Sequence, residues 1–412
     1  MQKTKINHII IKNIGFLNYD KSFRSKVEKD SSFLNKNFSD ETYNFLNNSY
    51  HTEYINIMFP ALDNQGINRL VKELNFEIEI CNIQTTVLLN NIELFIFNDS
   101  YRSEQTALFS LDYLIENATL EDISNISFLL KLHDCEIIYN KEKMLLKDFV
   151  AKFLLFNINF YDDSSSLQQY AGSKFKQYLV IDFEHSVAKR DNLLFELGTS
   201  SKIGSVDHGL IEAPSANYLD KILKNKISCF NNYECLTLLD SFTVLGTNNY
   251  NRDIVYSHLG WNDIYFSIYI YSIYMKSTLQ ILSNDFSKES LVKRYEFQNF
   301  YNKYYRKKLS YNFLPNEIYS GILNSLEIDE DLSYVQEKLE TLAVQVNERQ
   351  QNQLGYLLAC ISVIALLETP LHIEGIRNII GLENLIIYNS ISYFVLISVV
   401  FLFLVIKIRK KY

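Results

Sequence analysis

Proline and glycine are scarce in this chain of 412 residues, at 4 and 12. With so few chain breakers and no low-complexity stretch, long disordered linkers are excluded and continuous folded structure is expected. A basic excess is also missing. Lys plus Arg number 40 against 48 Asp plus Glu, a net charge of −8, and a binder of duplex nucleic acid needs a large basic surface. Duplex nucleic acid is therefore not an expected partner. The five cysteines (Cys81, Cys135, Cys229, Cys235, Cys360) are odd in number, and no two stand in CxxC spacing. That argues against a cysteine zinc site and fits a reduced compartment. There is no Gly-rich phosphate loop and no Gly-x-Ser-x-Gly elbow. His8, His51, His133 and His258 have no partners at ligand spacing. The opening "MQKTKINHIIIKNIG" has an apolar core of only three isoleucines, flanked by His8 and Lys12. That is too short for a signal peptide, so the first several hundred residues are expected in the cytoplasm.

What is present divides into three stretches. Residues 1–255 alternate short strand-like runs with helix-like ones. "YINIMF" (54–59), "FEIEI" (76–80), "IELFIF" (92–97), "EIIYN" (136–140) and "YLVIDF" (178–183) are β-branched or aromatic. "LEDISNISFLLKL" (120–132) and "YLDKILKNKI" (218–227) have helical spacing. A hairpin turn is expected at Asn140–Lys141. Together these predict a cytoplasmic α/β or α+β domain. Residues 256–350 read as helical. "WNDIYFSIYIYSIYMKSTLQIL" (261–282) is apolar nearly all round yet holds four tyrosines, which predicts a buried or partner-facing helix. Leu332, Val335, Leu339, Leu342 and Val346 follow a heptad seam, which predicts a long stalk helix.

Residues 351–412 are the most apolar. "LGYLLACISVIALLETPLHIEGI" (354–376) and "YNSISYFVLISVVFLFLVI" (388–406) each approach the length of about 20 residues that a spanning helix needs. The tail "KIRKKY" concentrates positive charge, while the connector 377–387 holds only Arg377. By charge bias both termini are expected in the cytoplasm and the connector outside. These readings predict a membrane α/β protein with two C-terminal transmembrane helices.

This order of parts resembles the CorA family of divalent-cation channels. Pro370-Leu371 followed by Gly375-Ile376 resembles the family's pattern at the end of its first span, one residue short of its spacing. The family's Gly-Met-Asn signature is absent, and Gly381-Leu382-Glu383-Asn384 is the nearest candidate. The detailed similarity covers residues 330–412. The resemblance implies a homopentamer in the bacterial inner membrane, its pore lined by the first span, with hydrated Mg²⁺ as substrate. Loss of the signature removes the basis for Mg²⁺ selectivity, so divalent and monovalent cations both stand as expected partners.

Several groups carry candidate chemistry. Glu374 or Glu383, repeated around an oligomer, would form a carboxylate ring at the outer mouth, where rings of acid groups select cations. Gly381, Leu382 and Asn384 complete that mouth. Asn352, Gly355, Ala359, Ser362 and Leu366 fall on one helical stripe, taken as pore-lining, though small residues there equally suit close helix packing. Glu368 and His372 stand i, i+4 on the other side. They form either an intersubunit contact or a local bond that fixes the helix end. Asp329, Glu330 and Asp331 are either a divalent sensor of the kind CorA channels are said to use or ordinary acids at a helix N-terminus. Arg294, Lys303, Tyr304 and Arg306, within a run that also includes Tyr301 and Tyr305, either bind a nucleotide by stacking and charge or form a solvated helix face.

Two rival functions follow. One branch of CorA-like proteins lacks Gly-Met-Asn and accompanies type III CRISPR systems. Resemblance to that branch implies a defence effector opened by a nucleotide second messenger, a small adenylate. The other rival starts from Asp182-x-Glu184 at the end of "YLVIDFEHS", the way a DEDD-type nuclease begins its metal site. The further acids such a site needs are not evident around His208 or Tyr218, and no enzymatic activity is expected.

Overall fold

A computed structural model of the chain describes residues 5–19, 21–59, 68–97, 105–116, 118–155, 172–210, 213–247, 260–284 and 290–372. The chain divides into two compact units, Met1–Gln336 and Glu337–Tyr412.

The first unit is organised on one large sheet. Its strands are β1 (Ile6–Tyr19), β2 (Leu34–Asn35), β3 (Asn68–Ile80), β4 (Thr85–Ile96), β5 (Gln105–Leu114), β6 (Glu136–Tyr139), β7 (Glu142–Leu145), β8 (Lys176–Phe183), β9 (Lys226–Ile227), β10 (Tyr233–Leu238) and β11 (Ser241–Thr247). They lie in the order β7-β6-β3-β4-β5-β1-β8-β11-β10-β9, with β2 paired to β3. Every pairing is antiparallel except β8 with β11. The helices are α1 (Lys21–Lys29), α2 (Asp40–Ser49), α3 (Thr52–Met58), α4 (Leu120–Lys131), α5 (Leu146–Phe149), α6 (Arg190–Thr199), α7 (Ser205–His208), α8 (Ala216–Leu223), α9 (Phe266–Asn284), α10 (Ser290–Tyr304), α11 (Phe313–Ser325) and α12 (Ile328–His372). A π-helical turn, Gly260–Tyr265, leads into α9.

Strand alternation makes the layers. Odd residues of β1 (Ile11, Leu17, Tyr19) share a core with Phe23 and Val27 of α1, Ile123 and Ile126 of α4, Phe149 of α5 and Leu194 of α6. The opposite face packs on α9: Phe95 and Tyr178 meet Phe266, and Phe97 stacks on Tyr274 at 3.5 Å between ring centroids. Helix α9 is buried on all sides, serines included. Ser272 and Ser277 survive there because each donates to a carbonyl of its own helix, which satisfies a polar group cut off from water.

Local rules explain individual elements. Asn140 and Lys141 both have positive φ, 48° and 69°. They form the two-residue turn joining β6 to β7, where that twist matches the strands. Thr119 and Asp122 form a reciprocal capping box at the start of α4. Gly15 of β1 lies opposite Phe109 of β5, and a Cβ on Gly15 would stand 2.1 Å from the ring. Both positions sit mid-core, so Gly15→Ala forces the ring out of place. We expect it to lower stability by about 1–3 kcal/mol, the usual range for overpacking. Urea unfolding checks this, and an unchanged midpoint would refute it.

Two expectations are corrected. "YINIMF" (54–59) is not a strand: Thr52–Met58 is helical. Tyr54, Ile55 and Met58 are all buried there, at a spacing that also fits one side of a short helix. The membrane expectation is overturned as well. Among the described residues, no helix is long and apolar enough to cross a membrane. The fold is a mixed α/β structure built on an 11-stranded sheet, not a membrane α/β architecture. Placement in an inner membrane and ion transport are not supported either. Helix α12 does run as one piece, but Glu348 to Gln353 ("ERQQNQ") makes its middle strongly polar and exposed. The second apolar run, 388–406, and the connector 377–387 lie outside the described residues.

Candidate functional site

Helix α10 presents a basic and aromatic face to solvent. Arg294 and Tyr301 are seven residues apart, two turns and about 10.5 Å along the axis, so they share a side of the helix. Tyr305, one turn further, continues that side: its N–H still donates to the Tyr301 carbonyl at 3.1 Å. The rings of Tyr301 and Tyr305 stack, with centroids 5.1 Å apart and planes 22° from parallel. Tyr301 is 39 % exposed, Arg294, Lys307 and Lys308 are exposed, and Tyr305 is half-buried. The pair is an open aromatic ledge, with Arg294 two turns before Tyr301 on the helix and Lys307 and Lys308 following Tyr305 in the chain.

The ledge is fixed from below. The Tyr305 hydroxyl donates to Asp329 in the first turn of α12 at 2.9 Å. Burial and this carboxylate push the Tyr305 phenol up to about 12, so it stays a neutral donor across ordinary pH. The neighbouring acid, Asp331, faces another way: it accepts from Gln280 at 2.9 Å and pairs with Lys276 at 2.8 Å, both on α9.

The residues singled out from sequence separate under this geometry. Tyr304 is buried and its carbonyl accepts from Tyr271, so its ring belongs to the core with Phe97, Tyr274 and Phe300. Lys303 lies with its ammonium 5.0 Å from the centre of the Tyr304 ring. Arg306 donates to the carbonyls of Asn302 and Tyr305 at 2.8 Å each, closing the end of its own helix. The ledge is thus built by Arg294, Tyr301 and Tyr305 rather than Tyr304. The signal in the sequence was the i, i+4 spacing of Tyr301 and Tyr305, with Arg294 two turns upstream.

Asp329, Glu330 and Asp331 do not converge. Among the described residues no group of three or more His, Cys, Asp or Glu is placed to hold a metal. Asp182 is buried at the end of β8, and Glu184 pairs with Lys5 at 2.9 Å. No third or fourth acid joins them among the described residues. Asn352, Gly355, Ala359 and Ser362 are exposed along α12, where Ser362 donates to the Leu358 carbonyl at 2.8 Å. Leu366, Glu368 and His372 belong to the last turns of that helix, and their side chains lie outside the described residues. So do Glu374, Gly381, Leu382, Glu383 and Asn384 altogether.

The fold and ledge define a mixed α/β protein with a solvent-facing stacking surface. No protein-family model, no curated protein and no solved structure matches the chain.

Proposed function

We propose that this chain is a nucleotide-responsive binding protein whose ligand is a small adenylate, the base lying on the Tyr301–Tyr305 ledge. The observation that carries the reading is the exposed stack tied through Tyr305 to Asp329. Exposed tyrosine faces flanked by cations suit a nucleobase with an attached phosphate, and stacking contributes about 1–3 kcal/mol per base. Arg294 and the Lys307–Lys308 pair supply the charge. Asp329, an acceptor at the same place, suits ribose hydroxyls. The role is recognition, not turnover. Because the ledge rests on the first turn of α12, a ligand that alters the Tyr305–Asp329 bond biases that turn by its differential affinity for the two arrangements.

The test is titration of the full chain with adenosine, AMP, ATP and cyclic oligoadenylates. At least one adenine ligand is expected to bind, and Tyr301→Ala to weaken it tenfold or more. Tyr305→Phe is expected to keep binding but to remove the ligand's effect on amide exchange in the first turn of α12. No binding by any adenine ligand, or full affinity in Tyr301→Ala, would overturn the reading.

A further inference from the structure

A stacking surface built of tyrosines takes any base, because every base has a π-face. Discrimination between bases has to come from a polar group beside the ledge that meets the base edge. Most polar side chains of α10 are engaged elsewhere. Lys293 pairs with Glu296 at 3.6 Å, and the Asn299 amide donates to the Tyr295 carbonyl at 2.8 Å. Lys303 lies over the Tyr304 ring, and Arg306 is held by carbonyls of its own helix. Gln298 is exposed, and among the described residues its amide has no hydrogen-bond partner.

Gln298 also stands beside the ledge. It comes four residues after Arg294 and three before Tyr301, the spacings at which helix neighbours meet on one face. Its Cα precedes that of Tyr301 by about 4.5 Å along the axis. Side chains on a helix lean toward the N-terminus, which carries the Tyr301 ring over the turn from which Gln298 projects. The other flank is closed. Phe297, about 100° round the helix from Gln298, is buried, and its ring lies 6.1 Å from that of Tyr301. One side of the ledge is therefore apolar and packed, while the other carries a donor and an acceptor on a single amide. Asn302 is exposed as well, but it sits about 100° round the helix from Tyr301 and on a shorter side chain.

We infer, resting on the nucleotide site proposed above, that Gln298 is its specificity-determining residue and selects adenine through the N6 amine and the N7 ring nitrogen. On that edge adenine offers a donor beside an acceptor, and a glutamine amide matches both at once. Guanine offers two acceptors there, O6 and N7. Only the amide N–H is then matched, and the glutamine carbonyl is set against a second oxygen. A site built to hydrogen-bond one pattern loses affinity for a ligand that leaves its groups unpaired.

The experiment is calorimetric titration of the full chain with AMP, GMP and 7-deaza-AMP, which share ribose and phosphate and differ at the base edge. AMP is expected to bind about fivefold or more tighter than GMP, the lower end for one bidentate base contact. 7-Deaza-AMP, which lacks the N7 acceptor, is expected to bind more weakly than AMP. Gln298→Ala is expected to keep stacking, to bind AMP and GMP about equally and to stop distinguishing 7-deaza-AMP from AMP. Gln298→Lys presents donors only and is expected to turn the preference toward GMP, whose O6 and N7 both accept. The added charge acts on both phosphates alike, so the ratio of the two affinities is the readout. Asn302→Ala is expected to leave that ratio unchanged. Both positions are exposed, and urea midpoints confirm that the variants fold. An unchanged AMP-to-GMP ratio in Gln298→Ala, or full affinity for 7-deaza-AMP, would overturn the inference and leave the ledge standing as a base site. Absence of binding by every nucleotide would overturn the ledge and its selectivity together.

Discussion

Arg69→Met is expected to destabilise the protein by about 3–5 kcal/mol, the cost of removing one partner from a buried ion pair. Arg69 is 4 % exposed and lies between the sheet and the π-helical turn. Its guanidinium donates to Glu93, to the Ser267 hydroxyl at 2.8 Å and to Asp263 at 3.3 Å. The rings of Phe38, Phe95 and Phe59 surround it, with centroids 5.0, 5.1 and 5.8 Å away. Methionine fills much of the volume but leaves the Glu93 carboxylate buried without its main counter-charge. Asp263 keeps Lys36 at 3.2 Å, so the loss falls chiefly on Glu93. That locates the rescue: Arg69→Met with Glu93→Leu removes both charges and is expected to recover at least half of the lost stability. Trp261, the single tryptophan, sits buried in the same turn as Asp263, so its fluorescence during urea unfolding reads this region directly. A midpoint for Arg69→Met equal to that of the native chain would show that the pair contributes nothing net.

That network also marks the boundary of what the sequence discloses. Strands β3, β4, β6 and β8 are legible as β-branched and aromatic runs. Helix α4 is legible from its spacing, and the β6–β7 turn from Asn140. The buried character of α9 follows from an apolar surface on all sides. The sheet's middle strand, β1, is not legible, because Lys12 and Asn13 interrupt its apolar alternation. Both are buried polar residues with partners on other elements, Lys12 beside Asp112 of β5 and Asn13 donating to the Leu130 carbonyl of α4 at 2.6 Å. A polar residue at an inward position reads as a break until its partner is known, and these partners are far away in sequence. Arg69 and Asp263 are 194 positions apart. The ledge was half legible: helical spacing puts Tyr301, Tyr305 and Arg294 on one side. Only packing shows that Tyr304 turns inward and Arg306 closes its own helix. The membrane expectation came from apolar length near the C-terminus, a one-dimensional signal. Among the described residues no helix is long and apolar enough to cross a membrane.

Lowering the pH is expected to unfold the chain through Glu93. Burial works to raise this carboxyl, but the Arg69 guanidinium, with Lys36 and Lys12 further off, outweighs burial and holds it down to about 2 from an ordinary value of 4.5. A group whose folded value lies below its unfolded one stabilises the fold above the unfolded value, and that stability is lost as pH falls through the folded one. For Glu93 the window runs from about 4.5 down to about 2. The contribution is roughly 3 kcal/mol, since each tenfold change in proton affinity between the folded and unfolded chains corresponds to about 1.4 kcal/mol. Other carboxylates titrate in the same range: Asp30, Asp122 and Asp240 are also held low. The informative quantity is therefore the difference between two chains. Urea midpoints of the native protein should fall steeply from pH 5 to pH 3. Glu93→Gln should start lower at pH 7, because the Arg69 charge loses its partner, and should fall less steeply, so that the two curves converge at acid pH. Parallel curves would mean that Glu93 titrates alike in the folded and unfolded chains. The ion pair with Arg69 would then be a contact in the structure without a share in its stability.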